Sequence, residues 1–391
     1  MSTLLTSQPP APTGDQRVVR REAPRRVRLG GADPELVSHV ASAAFGALAL
    51  VWLVYERLVP MTGAIGFWLC WYVAFLVLFA AVSATTLDRM GVTDRIVGAL
   101  VTTAGLVMVS CLAGIVVFTF ARGRQALMHL NFYTQTTAYI GPEAPLDQGG
   151  IYAAIVGTLE QVAISVVLSV PLGIATAVYL SEVRGRLARL VRTVVEAMSA
   201  VPTIVAGLFI YSMLILKFGQ ERSGFAASLA LCISMIPVVT TTAEVVLRLV
   251  PNGLREASLA LGTTQWQTVR RVVLPTARPG LVTAVLLGVA RVIGETSPGL
   301  LVAGSTNELN YDPTHGPQLS LPLFAFTSMR QPLDTAIARA FGACVVLLVL
   351  VVVLFALARI LGGREPGHIS RRRRRRLAAA RVTTTESEPA R

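Results

Sequence analysis

Long apolar runs recur along this chain, and their length constrains its fold more than any other feature. A helix needs about 20 apolar residues to cross the ~30 Å hydrocarbon core of a bilayer. Of the 391 residues, 53% are hydrophobic and 15% are charged, whereas soluble domains carry about 25% charged residues. The sequence therefore predicts an all-α polytopic membrane protein with about eight transmembrane helices. The apolar runs cover residues 36–55, 65–87, 96–120, 151–180, 193–216, 224–247, 277–303 and 335–361.

The positive charges between these runs predict the orientation of the chain. Lys and Arg concentrate on the cytoplasmic side of membrane proteins, and an even number of spans places both termini on one side. Arginines are dense before the first run, at 17–28, and after the last, at 371–376. We therefore predict a multi-pass protein of the cell membrane with both termini in the cytoplasm. The polar ends, 1–35 and 363–391, are predicted to be disordered tails.

The net charge of +13 has two explanations. The arginine run at 371–376 could bind nucleic acid, or it could hold the chain against anionic lipid head groups. No aromatic residue interleaves with these arginines, which favours the lipid bilayer as the partner and argues against nucleic acid.

The motifs of common enzymes and metal sites are not found in this sequence. Lys217, the single lysine, stands between Leu216 and Phe218, so the Gly-Lys-Ser/Thr of a phosphate-binding P-loop is excluded. The cysteines and histidines are dispersed, and we predict no metal site and no catalytic residue. The chain is expected not to be an enzyme and to hold no cofactor. If it uses ATP, another chain must bind the nucleotide.

The polar segment between the sixth and seventh runs carries the most information. It reads LVPNGLREASLALGTTQWQTVRRVVLPTARPG at 249–280. Pro251 stops the preceding span, a short helix begins near Leu254, Gly262 interrupts it and Pro275 ends it. Such a segment could project into the groove of a partner protein, or it could lie on the membrane surface as an amphipathic helix. The residues alone leave both interpretations open.

This segment also resembles a known motif, the EAA loop of bacterial ABC importer permeases, here at 252–275. The resemblance rests on Glu256–Ala257–Ser258, on Gly262 and on Val272–Pro275 at fixed spacing. It implies that the loop docks on a cytoplasmic ATPase, with Glu256, Ala257 and Gly262 as the coupling residues. Ser258 replaces the usual second Ala, and Val272 stands where Ile is common.

Further segments, at 149–182, 201–213, 248–262 and 290–301, resemble the permeases of phosphate-specific ABC importers, PstA type. The resemblance implies a six-helix permease core, here at 91–362, in the bacterial inner membrane. It also implies a sister permease of the PstC type, an ATPase dimer of the PstB type that binds ATP and Mg, and an extracytoplasmic phosphate-binding protein of the PstS type. The spans within 36–90 lie outside the resemblance and are predicted to form an N-terminal hairpin extension.

Two charges interrupt the seventh apolar run, in GVARVIGETSPG at 288–299. A charge at the bilayer centre costs at least ~2.5–3.5 kcal/mol, so such residues usually face the bundle interior or a water path. At i,i+4 spacing, Arg291 and Glu295 are expected to share one helix face. They could pair only with each other and hold the bundle together. Alternatively, Arg291 could present its planar donor fork to an oxyanion.

In the second interpretation Glu295 orients the guanidinium and accepts a hydrogen bond from the proton of hydrogenphosphate, a proton that sulfate lacks. The motif R-x-x-G-E-T-[AS]-P resembles that of the phosphate permeases, which makes Arg291, Glu295 and Thr296 the candidate substrate-path residues. Relatives often carry an arginine near Thr241, so the contribution of 240–242 to the anion path is open. Glu160 stands where Leu is usual, and it could pair with Arg291 or reach the outer interface.

These observations predict the permease subunit of an ATP-driven importer of inorganic phosphate, forming half of the translocation path. Two alternatives remain at this point. One is a permease for another oxyanion, sulfate or molybdate. The other is a non-transporting membrane scaffold or phosphate-sensing component.

Overall fold

The computed structural model describes residues 34–58 and 63–362, and all regular structure in them is helical. The prediction of an all-α membrane protein is confirmed. The tails predicted at 1–35 and 363–391 lie outside the described residues, except for Pro34 and Glu35. The helices are α1 Pro34–Trp52, α2 Ala64–Ala84, α3 Arg89–Leu127, α4 Asn131–Thr134, α5 Tyr152–Glu182, α6 Arg186–Ala200, α7 Thr203–Ile210, α8 Gly224–Arg248, α9 Asn252–Ala260, α10 Gln265–Thr268, α11 Leu274–Ile293, α12 Ser297–Val302, α13 Leu321–Met329 and α14 Asp334–Gly362. Short π-helical turns follow α1, α7 and α10, at Leu53–Leu58, Tyr211–Lys217 and Val269–Val273.

The first of two compact units ends at Cys111. In it, α1 and α2 form a hairpin in which Ala43 and Ala47 pack against Phe75 and Phe79. The indole Nε1 of Trp71 donates a hydrogen bond of 3.2 Å to the carbonyl of Ala44. Small residues on one helix let the aromatic rings of the other approach its backbone. The boundary of the extension at residue 90 stays a prediction.

The second unit begins at Leu112, and α5, α8 and α11 pack at its centre. Small polar residues allow α5 and α8 to approach closely. The Ser165 hydroxyl donates to the Ser228 carbonyl at 3.1 Å, and the Thr240 hydroxyl donates to the Gly173 carbonyl at 3.3 Å. Such interhelical hydrogen bonds satisfy polar groups in a place where water is absent.

The fifth predicted span, 193–216, is not one straight helix. In the described residues, seven helices are long and apolar enough to cross a membrane, and the bent pair α6–α7 would make an eighth. The two helices of this pair meet at 101°. Pro202 explains the corner, because a residue before proline is driven out of the helical region, and Val201 has φ −69° and ψ 123°.

The seventh predicted span, 277–303, also differs in form. The expectation that Pro275 ends the preceding helix is wrong, because α10 continues through the π-helical turn Val269–Val273 into α11. Pro275 lies in the first turn of α11, and a π-helical turn changes the local hydrogen-bond register ahead of the proline, which cannot donate. At the other end α11 stops at Ile293, and α12 begins only at Ser297.

Candidate functional site

A cavity of about 710 Å³ lies where one helix pair bends and another helix ends, against the continuous helix α8. It is bounded by the corner between α6 and α7, by the part of α8 that contains Pro237, and by the end of α11. The lining residues are Met198, Ser199, Val201, Thr203, Ser234, Pro237, Val238, Leu287, Ala290, Arg291 and Glu295. Helix breaks expose backbone groups that a continuous helix would satisfy internally, and membrane proteins tolerate them where they line a cavity.

Two of the candidate substrate-path residues, Arg291 and Glu295, line this cavity, and Thr296 is not among its lining residues. Arg291 lies in the last turn of α11. Glu295 lies beyond the end of the helix, and its N–H donates to the Val292 carbonyl at 3.0 Å. The prediction that both residues share the face of one continuous helix is therefore wrong. The helix ends at Gly294, so Glu295 reaches the cavity from the break.

The guanidinium of Arg291 has no polar partner within the described part of the chain. No ion pair joins it to Glu295, and no hydrogen bond or ion pair involves its side chain there. The side chain is exposed. An arginine in a membrane-spanning segment normally pairs or faces a water-filled cavity, and Arg291 lines a cavity. Its donor fork is free to meet an anion or a group from another chain.

Glu160 and the threonines of α8 have other contacts. The Glu160 carboxylate accepts a hydrogen bond from Nε2 of Gln318, whose Oε1 accepts one of 3.2 Å from Gln161. Gln318 is 2% exposed. Glu160 is thus hydrogen-bonded to the segment before α13 rather than to Arg291.

The threonines of α8 do not face the cavity. The Thr241 hydroxyl donates to the Pro237 carbonyl in its own helix at 2.8 Å, and Thr240 and Thr241 are not among the lining residues.

The segment at 252–275 is the second candidate site, and the predicted short helix is present as α9. Gly262 ends the turn after it with φ +81°. Glu256 and Ala257 are exposed. Leu261 and Trp266 are 85% and 65% exposed, so the turn carries an apolar tip that nothing in the described chain covers. We call α9 the coupling helix from here on, after the role that the resemblance to the EAA loop implies.

Three hydroxyl groups fix the angle between the coupling helix and α10. Ser258 Oγ lies 2.8 Å from Thr263 Oγ1 and 3.0 Å from Thr268 Oγ1, and the Thr263 hydroxyl also donates to the Ser258 carbonyl at 2.8 Å. The Ser258 hydroxyl is therefore part of the fold of the loop, which an alanine could not supply.

Two side chains that tie helices together at this end of the bundle were not found from the sequence. Arg255 donates to the carbonyls of Val250 at 3.0 Å and Leu247 at 2.9 Å, and forms an ion pair of 3.3 Å with Glu182 of α5. Glu244 of α8 is 5% exposed. It accepts from Arg192 of α6 and from Arg248, each at 2.6 Å. The i,i+4 spacing of Glu244 and Arg248 was the only available signal.

An arginine that lines a cavity in a bundle of apolar helices is a feature found on substrate and ion pathways of membrane proteins. Residues 169–365 match the family described as "Binding-protein-dependent transport system inner membrane component". The chain belongs to this family. It is a permease component of a binding-protein-dependent transport system in the membrane. Among the residues that the structure describes, no group of three or more His, Cys, Asp or Glu could hold a metal ion.

Curated relatives include the "Phosphate transport system permease protein PstA 1" of Mycobacterium tuberculosis (strain CDC 1551 / Oshkosh). It is 43% identical over 232 residues, which cover 59% of this chain and 76% of the relative. The "Phosphate transport system permease protein PstA" of Haemophilus influenzae is 32% identical over 260 residues, covering 64% and 90%. These relatives confirm the resemblance to PstA-type permeases.

Among solved structures, an inward-facing methionine ABC transporter, MetNI, is similar over 55% of this chain and 91% of that chain. The identity is 23% and the TM-score is 0.42. A bacterial ABC transporter for the import of alginate has 16% identity and a TM-score of 0.43, over 66% and 96% of the two chains. At these TM-scores the family assignment rests on the sequence comparisons.

Proposed function

We propose that this chain is the permease subunit of an ATP-driven importer of inorganic phosphate and forms half of its translocation path. The names of the relatives support phosphate as the substrate. The observation that carries the proposal is the Arg291 guanidinium, which has no partner in the described chain and lines a cavity between the α6–α7 corner and the end of α11. Such an arginine can bind an oxyanion with two parallel N–H···O hydrogen bonds.

In this proposal Glu295 makes the site selective for hydrogenphosphate. Its carboxylate lines the same cavity and accepts hydrogen bonds only. Hydrogenphosphate can donate a hydrogen bond to that carboxylate, whereas a fully deprotonated oxyanion would be repelled by it. Selectivity then comes from the repulsion of the wrong anion as well as from attraction of the right one. Thr296 lies beside Glu295 in the break, and its hydroxyl would serve the same path.

Two segments change conformation in this proposal: the break between α11 and α12, and the corner between α6 and α7. Both are places where a few backbone torsions can change without disturbing a packed helix. We propose that ATP-driven closure of partner subunits changes these bends and exposes the cavity to each side of the membrane in turn. The chain itself performs no bond chemistry and binds no cofactor.

The coupling helix is proposed to dock on the ATPase through Glu256, Ala257 and Gly262. Its exposed apolar tip and its ties to α5 and α8 through Arg255 support a rigid projection rather than a surface helix. In this arrangement the coupling helix and both termini face the cytoplasm of a bacterial inner membrane. The partners are an ATPase dimer of the PstB type that binds ATP and Mg, a sister permease of the PstC type and an extracytoplasmic binding protein of the PstS type.

Uptake of radiolabelled anions tests the substrate. Cells that lack their own phosphate importer would receive this chain together with its three partner subunits, and uptake of phosphate, sulfate and molybdate would be compared. The proposal predicts that only phosphate accumulates, and that omitting this chain abolishes the accumulation. Uptake of sulfate or molybdate in place of phosphate would assign the chain to another oxyanion. A complex that assembles but takes up none of them would indicate a scaffold or sensor.

A further inference from the structure

A second cavity, of about 630 Å³, lies at the end of the bundle that carries the coupling helix. It is enclosed by the end of α5, the start of α6, the end of α8 and the coupling helix. Its lining is strongly basic. The lining residues are Leu180, Ser181, Val183, Arg184, Gly185, Ala188, Arg189, Arg192, Arg248, Asn252 and Arg255. We call it the arginine cavity.

The carboxylates around the arginine cavity do not balance its charge. Glu244 forms ion pairs with both Arg192 and Arg248, and Glu182 forms one with Arg255. The five lining arginines outnumber the two carboxylates that form ion pairs with them, and the further carboxylate near Arg192, that of Glu196, still leaves an excess of positive charge. Closely spaced positive charges around a cavity raise the local potential and favour occupation by an anion.

Two arginines of the cavity are available to a ligand. Arg184, in the turn before α6, and Arg189, in its first turns, make no side-chain hydrogen bond or ion pair with any residue that the structure describes. The Nε of Arg255 is buried and also has no hydrogen-bond acceptor there. A structural role would account for Arg192, Arg248 and Arg255, which hold helices together, but not for Arg184 and Arg189.

The surface of α6 indicates where the anion comes from. Leu187, Leu190 and Val194 are all exposed, and their i, i+3, i+7 spacing places them on one face of the helix. An amphipathic helix with apolar residues on one face and arginines beside them is typical of the interface between lipid tails and head groups. Basic pockets between membrane helices at that depth bind anionic lipid head groups.

We propose that the arginine cavity binds a phosphate group, with Arg184 and Arg189 as its main ligands. The apolar face of α6 favours the head group of an anionic phospholipid as the source, and a free phosphate ion has the same oxyanion chemistry. Because Asn252 and Arg255 of the coupling helix line the same cavity, the bound group connects α6 to that helix. The site is separate from the Arg291 cavity and does not depend on which substrate is transported.

The test compares two charge-matched double variants of the full-length chain, purified with the sister permease and the ATPase but without the extracytoplasmic phosphate-binding protein, whose own site would mask the one tested. Arg184→Gln with Arg189→Gln removes the two free ligands. Arg186→Gln with Arg271→Gln is the control, since both arginines lie outside the lining. Native mass spectrometry would measure binding of phosphatidylglycerol, with phosphatidylcholine as the uncharged probe. Equilibrium dialysis would measure binding of inorganic phosphate, with Arg291→Gln present in every variant so that the substrate path contributes nothing.

The proposal predicts that phosphatidylglycerol binds about 20-fold more weakly to the Arg184/Arg189 variant than to the control. Phosphatidylcholine should bind equally to both. If only inorganic phosphate binding falls, the site holds a free anion. If both variants bind both probes equally, the proposal is wrong. It is also wrong if the Arg184/Arg189 variant loses the ATPase while anion binding is unchanged, because the cavity would then belong to the partner interface.

Discussion

Gly262 controls the geometry of the coupling helix through its backbone. Its φ of +81° lies in the left-handed region, which costs other L-residues roughly 1–2 kcal/mol. A Cβ added there would meet no atom within 4 Å, so steric crowding adds nothing to that cost. The turn thus needs a residue that tolerates positive φ, and asparagine does so better than a β-branched residue.

The effect of a substitution at Gly262 on ATP hydrolysis should therefore depend on how well the new residue tolerates positive φ. We expect Gly262→Val to reorient the loop and reduce substrate-stimulated ATP hydrolysis about tenfold, a loss of ~1.4 kcal/mol in coupling, while Gly262→Asn retains most of it. Gly253→Ala is the matched control, because Gly253 lies in α9 with open space around it. Equal activity of the Val and Asn variants would show that the turn does not set coupling.

At the scale of single residues, the sequence reveals charged side chains that lie within apolar runs. It does not reveal charged side chains whose ion-pair partners are far away in the sequence. Arg291 and Glu295 were found because they interrupt an apolar run. Glu244 was missed because Arg192 lies 52 residues away. The absence of an Arg291–Glu295 ion pair could not be read from their spacing either, since it depends on the end of α11 at Ile293.

Val239 of α8 connects the three central helices. It is fully buried and lies against the glycines Gly173 of α5 and Gly288 of α11. A Cβ at Gly288 would be 2.7 Å from Val239 Cγ2, and one at Gly173 would be 2.9 Å from Val239 Cγ1. The close approach of the helices around the Arg291 cavity therefore depends on a valine between two glycines.

A double-mutant cycle tests this packing. Gly288→Ala should destabilise the bundle by about 1–3 kcal/mol through overpacking. Val239→Ala should also destabilise it by about 1–3 kcal/mol, because it leaves a cavity. The two changes together should cost less than their sum, because the new methyl group occupies the vacated space. Thermal unfolding of the purified protein measures each step, with Gly105→Ala as the control, since a Cβ there meets nothing within 4 Å. Strict additivity would contradict the contact.

The helices themselves were largely predictable, whereas their breaks were not. An apolar run shows how much sequence is compatible with lipid, and its hydropathy does not mark the helix breaks at Pro202 and Gly294. Whether a proline bends a helix or is accommodated depends on its neighbours. Pro202 marks a 101° corner, whereas Pro171 lies inside the continuous helix α5. The corner and the break that form the Arg291 cavity are therefore features of tertiary packing.

At the scale of the whole molecule, we expect that the N-terminal hairpin can be deleted without loss of transport. Among the described residues, those up to Cys111 form one compact unit and those from Leu112 onward form the other, and the predicted extension at 36–90 lies within the range of the first. Deleting residues 1–90 removes two spans, so the remaining helices keep their orientation. We expect phosphate uptake to persist at about the level of the full-length chain, measured at equal membrane abundance.

Deletion of residues 1–62 provides the control for this experiment. It removes α1 alone, so an odd number of spans is lost and the positive-inside preference of the rest conflicts with the position of the new terminus. We expect no uptake from that variant. Loss of uptake on deleting 1–90, at normal membrane levels, would instead make the hairpin part of the transport mechanism.

The central claim is that Arg291 meets the transported anion, and removing its charge tests this most directly. Radiolabelled phosphate uptake would be compared at matched expression for Arg291→Gln with Glu295→Gln, for Arg291→Lys, and for Arg330→Gln, which changes an arginine outside the cavity lining. Removing a purely structural pair by neutral substitution is often harmless. Removing an anion ligand is expected to lower uptake about 10- to 100-fold. Our account predicts that loss for the double neutral variant, a partial defect for Arg291→Lys and normal uptake for Arg330→Gln, with assembly and basal ATP hydrolysis retained. Near-normal uptake by the double neutral variant would contradict it.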